Sequence, residues 1–124
     1  MIESLHADPL HVAAAWSDTP PTLSLRFSGQ CTDRYPHRTL TPYLTQVLAI
    51  AASRKGGIEL DFQKLDFVNS SAITVIVRFL REAHKKQVQL VLRFAPSITW
   101  QKITCDAVRA LGEDDPLLVI KNGD

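Results

Sequence analysis

The stretch "LDFVNSSAITVIVRFL", residues 65–80, sets two serines between two hydrophobic runs. The run before Ser70 and Ser71 reads as the end of a strand. The run after them reads as a helix over about 71–86, because apolar residues recur at the helical period. A serine at such a boundary has three readings. It accepts a hydrogen bond from an early backbone N–H and so caps the helix, with Asn69 as an alternative cap. It is a nucleophile, or it is a modification site.

The nucleophile reading lacks its machinery. A reactive serine needs a base within hydrogen-bond reach and an oxyanion site. Val68 and Ala72 stand where a G-x-S-x-G elbow has glycines. The four histidines, at 6, 11, 37 and 84, form no recognisable motif. His84 falls over three turns down the same helix, about 20 Å from its start. A switch needs less. Phosphate at a helix N-terminus meets unpaired N–H groups and the positive end of the dipole, and adds about −1.5 to −2 charges.

On that helix Ile73, Ile76, Val77 and Leu80 form a stripe able to cover a sheet. Ala72, Val75 and Phe79 widen the apolar arc to roughly 200°, beyond the usual stripe. That flank is either buried by a neighbouring helix or forms a partner surface starting beside Ser70.

The flanking segments extend the pattern. "HVAAAW" (11–16) and "TLSLRF" (22–27) read as strands of a hairpin around "SDTPP". Thr41 is the expected cap of a helix with Pro42 at its first position and Leu44, Val47, Leu48 and Ala51 as its stripe; "RKGG" ends it. "IELDF" (58–62) and "VQLVLRF" (88–94) alternate as strands. Ser97 is the expected cap of a third helix carrying Trp100, Ile103, Ala107 and Leu111, and "LLVIK" closes the chain as a strand.

Strands alternating with helices imply right-handed crossovers and a mainly parallel sheet. Glu59, Asp61, Gln89 and Arg93 on one face argue against helices on both sides. The expected fold is α/β with two layers, the helices on one face of the sheet. The 124 residues suit a single domain spanning 1–124.

Composition narrows the function. Fourteen basic and thirteen acidic side chains leave a net charge of +1, without the basic excess of a nucleic-acid binder. The basic "HKK" at 84–86 suits a helix C-terminus. Cys31 and Cys105 stand alone, so a structural zinc site is not expected. The N-terminus lacks the pattern of a signal peptide, and no apolar run approaches a membrane span. The expected location is the cytoplasm.

At this point the residues resemble a known family. "IELDFQKLDFVNSSAITVIVRFLREAHKKQVQLVLRF" is similar to the STAS domain of bacterial anti-sigma-factor antagonists, a SpoIIAA-like fold. The resemblance implies a single STAS-like domain with its core at about 8–121. The family pattern is a strand ending in Asp, here Asp61, then an Asp-Ser-Ser/Thr-Gly-type turn and an amphipathic helix. Asn69, Ser70, Ser71 and Ala72 occupy the turn. Asn69 replaces the usual Asp and Ala72 the usual Gly, as in a divergent branch with an Asn-Ser-Ser turn.

The resemblance implies a non-enzymatic regulator without cofactor or metal. It implies phosphorylation at Ser70, with Ser71 as the fallback, by a serine kinase that is often itself the anti-sigma-type partner. A PP2C-type phosphatase reverses it, and the unmodified form binds the partner. Asn69, Ser71, Ala72, Val75 and Phe79 are the expected partner-binding residues. The alternatives are a STAS-like scaffold or sensor in which Ser70 only caps its helix, and a small-molecule-binding or hydrolytic α/β protein.

Overall fold

The computed structural model describes residues 2–122. Six strands form one sheet in the order β1 to β6, the order of the sequence. β1 (Leu5–Ala7), β2 (Leu10–Asp18) and β3 (Pro21–Cys31) are antiparallel neighbours. β3, β4 (Gly57–Val68), β5 (Leu90–Phe94) and β6 (Leu118–Asn122) are parallel. Helices α1 (Leu40–Ser53), α2 (Ser70–Lys85) and α3 (Thr99–Leu111) make the three crossovers. Right-handed crossovers that always step the same way place their helices on the same face. The fold is the expected two-layer α/β arrangement.

The alternation read from the sequence is the inside–outside pattern of the sheet. Leu23, Leu25, Ile58, Leu60, Phe62, Leu90, Leu92 and Phe94 are buried beneath the helices. The opposite face carries a row of charges. Arg26, Asp61 and Arg93 are directly in register across β3, β4 and β5. Arg26 lies 3.9 Å from Asp61, and Arg93 pairs with Glu59. Gln89, expected on this face, precedes β5 and is exposed.

The largest departure from expectation is the continuity of β4, which runs unbroken from the "IELDF" strand past Phe62 to Val68, at the strand end read before the serines. Its register with β3 shifts twice, between Arg26 and Ser28 and between Gly29 and Gln30. Each shift inserts an extra residue and breaks the two-residue period. The buried positions therefore run 58, 60, 62, 65, 68. Gly29 makes the second irregularity feasible: its φ is +85°, and a Cβ there would lie 1.9 Å from the Pro9 carbonyl oxygen.

The irregular strand needs outside hydrogen-bond partners, and α3 supplies them. Gln101, fully buried, donates through Nε2 to the carbonyls of Phe62 (2.7 Å) and Leu65 (3.0 Å), and accepts from the Ala95 N–H through Oε1 (2.6 Å). Trp100 Nε1 also donates to Leu65 (2.9 Å). Phe62 packs among Phe27, Phe94 and Trp100, with ring centroids 4.9, 5.4 and 6.2 Å away. The inward face of α3 is thus Gln101, Thr104, Cys105 and Val108. Of the expected stripe only Trp100 packs against the core; Ile103, Ala107 and Leu111 are exposed. Gln101 wins its inward position because the strand beneath has carbonyls to satisfy.

Helix starts also differ. α1 begins at Leu40, with Thr39 rather than Thr41 at its cap position and Pro42 third in the helix. Ile98, not Ser97, precedes α3, and neither start carries a side-chain cap. The expected stripe of α1 is buried as read. The three-residue β1 went unread because so short a strand has no period to detect.

The Asn69–Ser70–Ser71 turn as candidate functional site

β4 delivers its last residue, Val68, into the core, and the chain turns at once into α2. Asn69 makes the turn. Its backbone is extended (φ −85°, ψ 171°), and its Oδ1 accepts from the Ala72 N–H at 2.8 Å. That is the geometry of an N-cap. Its Nδ2 donates to the Asp33 carbonyl at 2.8 Å, and its own N–H donates to the Cys31 carbonyl at 3.1 Å. Asn69 therefore does what an aspartate could not: its side chain caps the helix and also donates to the segment after β3.

That segment sits beside the start of α2. It contains a short 3-10 helix, Pro36–Arg38, that packs on α2. The Asp33 carboxylate accepts from the Tyr35 N–H (2.9 Å), and the Arg38 guanidinium lies 4.6 Å from the Tyr35 ring centre. Burial, with the Asp33 charge added, pushes the Cys31 thiol up from its ordinary value. Burial does the same for Cys105. Both are free thiols whose protonated form is favoured, so neither is a ready nucleophile.

With Asn69 as cap, Ser70 is the first residue of α2 and Ser71 the second, and both are exposed. Ala72, third in the helix and buried, has no need of the conformational freedom of Gly. The histidines are engaged elsewhere: His6 with His11, His84 with Asp115, His37 against the Tyr35 ring. Among the described residues none is hydrogen-bonded to either serine.

The expected partner surface is corrected by the packing. Val75 and Phe79 are only 6% and 5% exposed, and Ala72 less. α1 covers this flank, with Leu44 and Leu48 opposite Val75 and Phe79. The first of the two readings of the wide apolar arc is the one realised: these three are core residues. Ile73, Val77 and Leu80, expected to face the sheet, are half-buried instead. The exposed face of α2 was not read in the sequence. Ser70, Thr74, Arg78, Arg81 and Lys85, three or four residues apart, form one exposed ridge that is basic below the serine. Phe67, 47% exposed, adds an apolar side chain just before the turn.

Among the described residues no helix is long and apolar enough to cross a membrane. No curated protein matches the chain. Among solved structures it is similar to an uncharacterized protein from the DUF3478 family with a SpoIIAA-like fold from Shewanella loihica PV-4. The identity is 17% over 100% of this chain and 91% of the other, with a TM-score of 0.60. That likeness shows the fold. The sequence match to the STAS domain, over residues 39–105, runs from the cap position of α1 through the serine turn to the middle of α3, and by it the chain belongs to the STAS domain family.

Proposed function

We propose that this STAS domain is a non-enzymatic, cytoplasmic regulatory module whose affinity for a protein partner is switched by phosphorylation of Ser70. One observation carries the reading. Asn69 accepts the capping hydrogen bond from Ala72, which leaves the exposed Ser70 hydroxyl at the helix start unused for capping. A phosphate there faces unpaired N–H groups and the positive end of the helix dipole, so the fold tolerates it. The surface it alters is the ridge of Thr74, Arg78, Arg81 and Lys85, which suits an acidic partner surface. The unmodified ridge binds an anti-sigma-type partner that is itself the serine kinase. The phosphate places about two negative charges at the head of the ridge and repels that partner. A PP2C-type phosphatase restores binding.

The test uses the chain and the partner captured from its host. After incubation with that partner and ATP, mass spectrometry is expected to place the phosphate on Ser70, and on Ser71 only in the Ser70→Ala protein. Calorimetry is expected to show at least about tenfold weaker binding of the modified form, with melting curves nearly superimposed. Phosphate mapping to Thr41 or Ser97, or equal affinities of the two forms, overturns the proposal.

A further inference from the structure

A second group of chemistry-bearing side chains sits on the edge hairpin β1–β2. Leu10 and Val12 of β2 point into the core, so His11 between them lies on the open face of the sheet. His6 of β1 is directly opposite it in register. Their Nδ1 atoms face each other at 3.2 Å, with ring centroids 5.4 Å apart and planes 64° apart. Asp8, in the turn joining the strands, holds His11 Nε2 at 2.7 Å.

These contacts sort the nitrogens by role. With its Nε2–H donated to the Asp8 carboxylate, neutral His11 keeps a lone pair on Nδ1, the atom aimed at His6. A carboxylate on the distal nitrogen is the usual partner of a metal-bound imidazole, fixing tautomer and ring orientation. Two imidazole nitrogens about 2.0–2.1 Å from one ion at a tetrahedral angle lie about 3.3 Å apart. The observed separation fits that spacing. Cross-strand register supplies it without rearranging the backbone.

We infer that His6 and His11 form a two-imidazole site for a first-row divalent metal ion, with Asp8 positioning His11. Imidazole donors select Zn²⁺, Ni²⁺ and Cu²⁺ over Mg²⁺ and Ca²⁺, and Cu²⁺ binds most tightly of the three. Among the described residues no group of three or more His, Cys, Asp or Glu side chains is placed to hold an ion. Water therefore completes the coordination, and the site is open and exchangeable. A bound ion ties the edge strand β1 to β2 and stabilises the folded chain by linkage.

The test is calorimetric titration of the full-length, tag-free chain with Cu²⁺, Ni²⁺ or Zn²⁺ alone at pH 7.5. Melting curves and Cu²⁺ electron paramagnetic resonance accompany it. One ion per chain is expected, with a raised midpoint and two nitrogen ligands in the resonance spectrum. His6→Gln and His11→Gln are expected to lose that binding while their metal-free melting curves match the parent. Asp8→Asn is expected to bind about 10–100-fold more weakly with the same two nitrogens. His37→Gln and His84→Gln are expected to bind as the parent does. Absence of binding at this stoichiometry, or binding retained in both His6→Gln and His11→Gln, overturns the site. Unchanged affinity in Asp8→Asn removes the positioning role.

Discussion

Two side-chain carboxamides serve the same strand, one beneath β4 and one at its end. Gln101 and Asn69 each donate to backbone carbonyls through the nitrogen and accept one backbone N–H through the oxygen. Their surroundings differ. Gln101 is fully buried among the aromatic rings around Phe62, whereas Asn69 is half-buried with two exposed serines beside it. Similar hydrogen bonds thus hold the fold at one place and arrange a surface at the other. Water can replace a lost partner around Asn69 but cannot reach the buried carbonyls that Gln101 satisfies.

The sharpest way to break the comparison is Gln101→Leu. The substitution nearly keeps the volume and leaves the buried Phe62 carbonyl and the part-buried Ala95 N–H without their side-chain partner; Leu65 retains Trp100. At about 1–3 kcal/mol for each orphaned group, the expected loss is roughly 2 kcal/mol or more. Urea denaturation measures it. A loss below about 1 kcal/mol would mean that α3 shifts to let water in, and the contrast with Asn69 would fail.

The same contrast explains what could be read from the sequence. Regular alternation in β2, β3 and β5 and the stripe of α1 exposed the architecture, because a single period governs each element. The serine turn was legible because Asn and Ser are short polar residues at a strand–helix boundary, although the choice between them needed the Ala72 contact. The run before the serines was legible as a strand end, but its continuity with the strand at 58–62 was hidden, since two register shifts spread the buried residues three apart. Gln101 was hidden with it. A glutamine looks like a surface residue until the carbonyls it must satisfy are known. Those carbonyls exist only because of the irregular strand. Val75 and Phe79 show a different limit: an apolar arc of about 200° signals a second neighbour, and only the fold shows that α1 is that neighbour. The His6–His11 pair was invisible for want of β1, which sets their register.

A moderate effect is expected at the strand's end. Asn69→Ala removes the cap and the tie to Asp33, for a loss of about 1–2 kcal/mol by the same denaturation measurement. Asn69→Asp is expected to cost less. The carboxylate still accepts from Ala72 and suits the helix dipole, but it cannot donate to the Asp33 carbonyl. A ranking in which Asp is worse than Ala would show that repulsion around Asp33 outweighs the cap.

The smallest effect is expected one residue further on, at Ser70→Ala. Asn69 already satisfies the Ala72 N–H, and Ser70 is an exposed first residue of the helix. Alanine suits a helix at least as well as serine, so stability is expected to stay within about 0.5 kcal/mol of the parent. The same protein is expected to lose phosphate acceptance at its main site. A stability loss above about 1 kcal/mol would assign capping to Ser70 after all and erase the division of labour between the two neighbours. An unchanged midpoint with phosphorylation lost would sharpen it: Asn69 holds the helix start, and the adjacent hydroxyl is left for chemistry that the fold itself does not require.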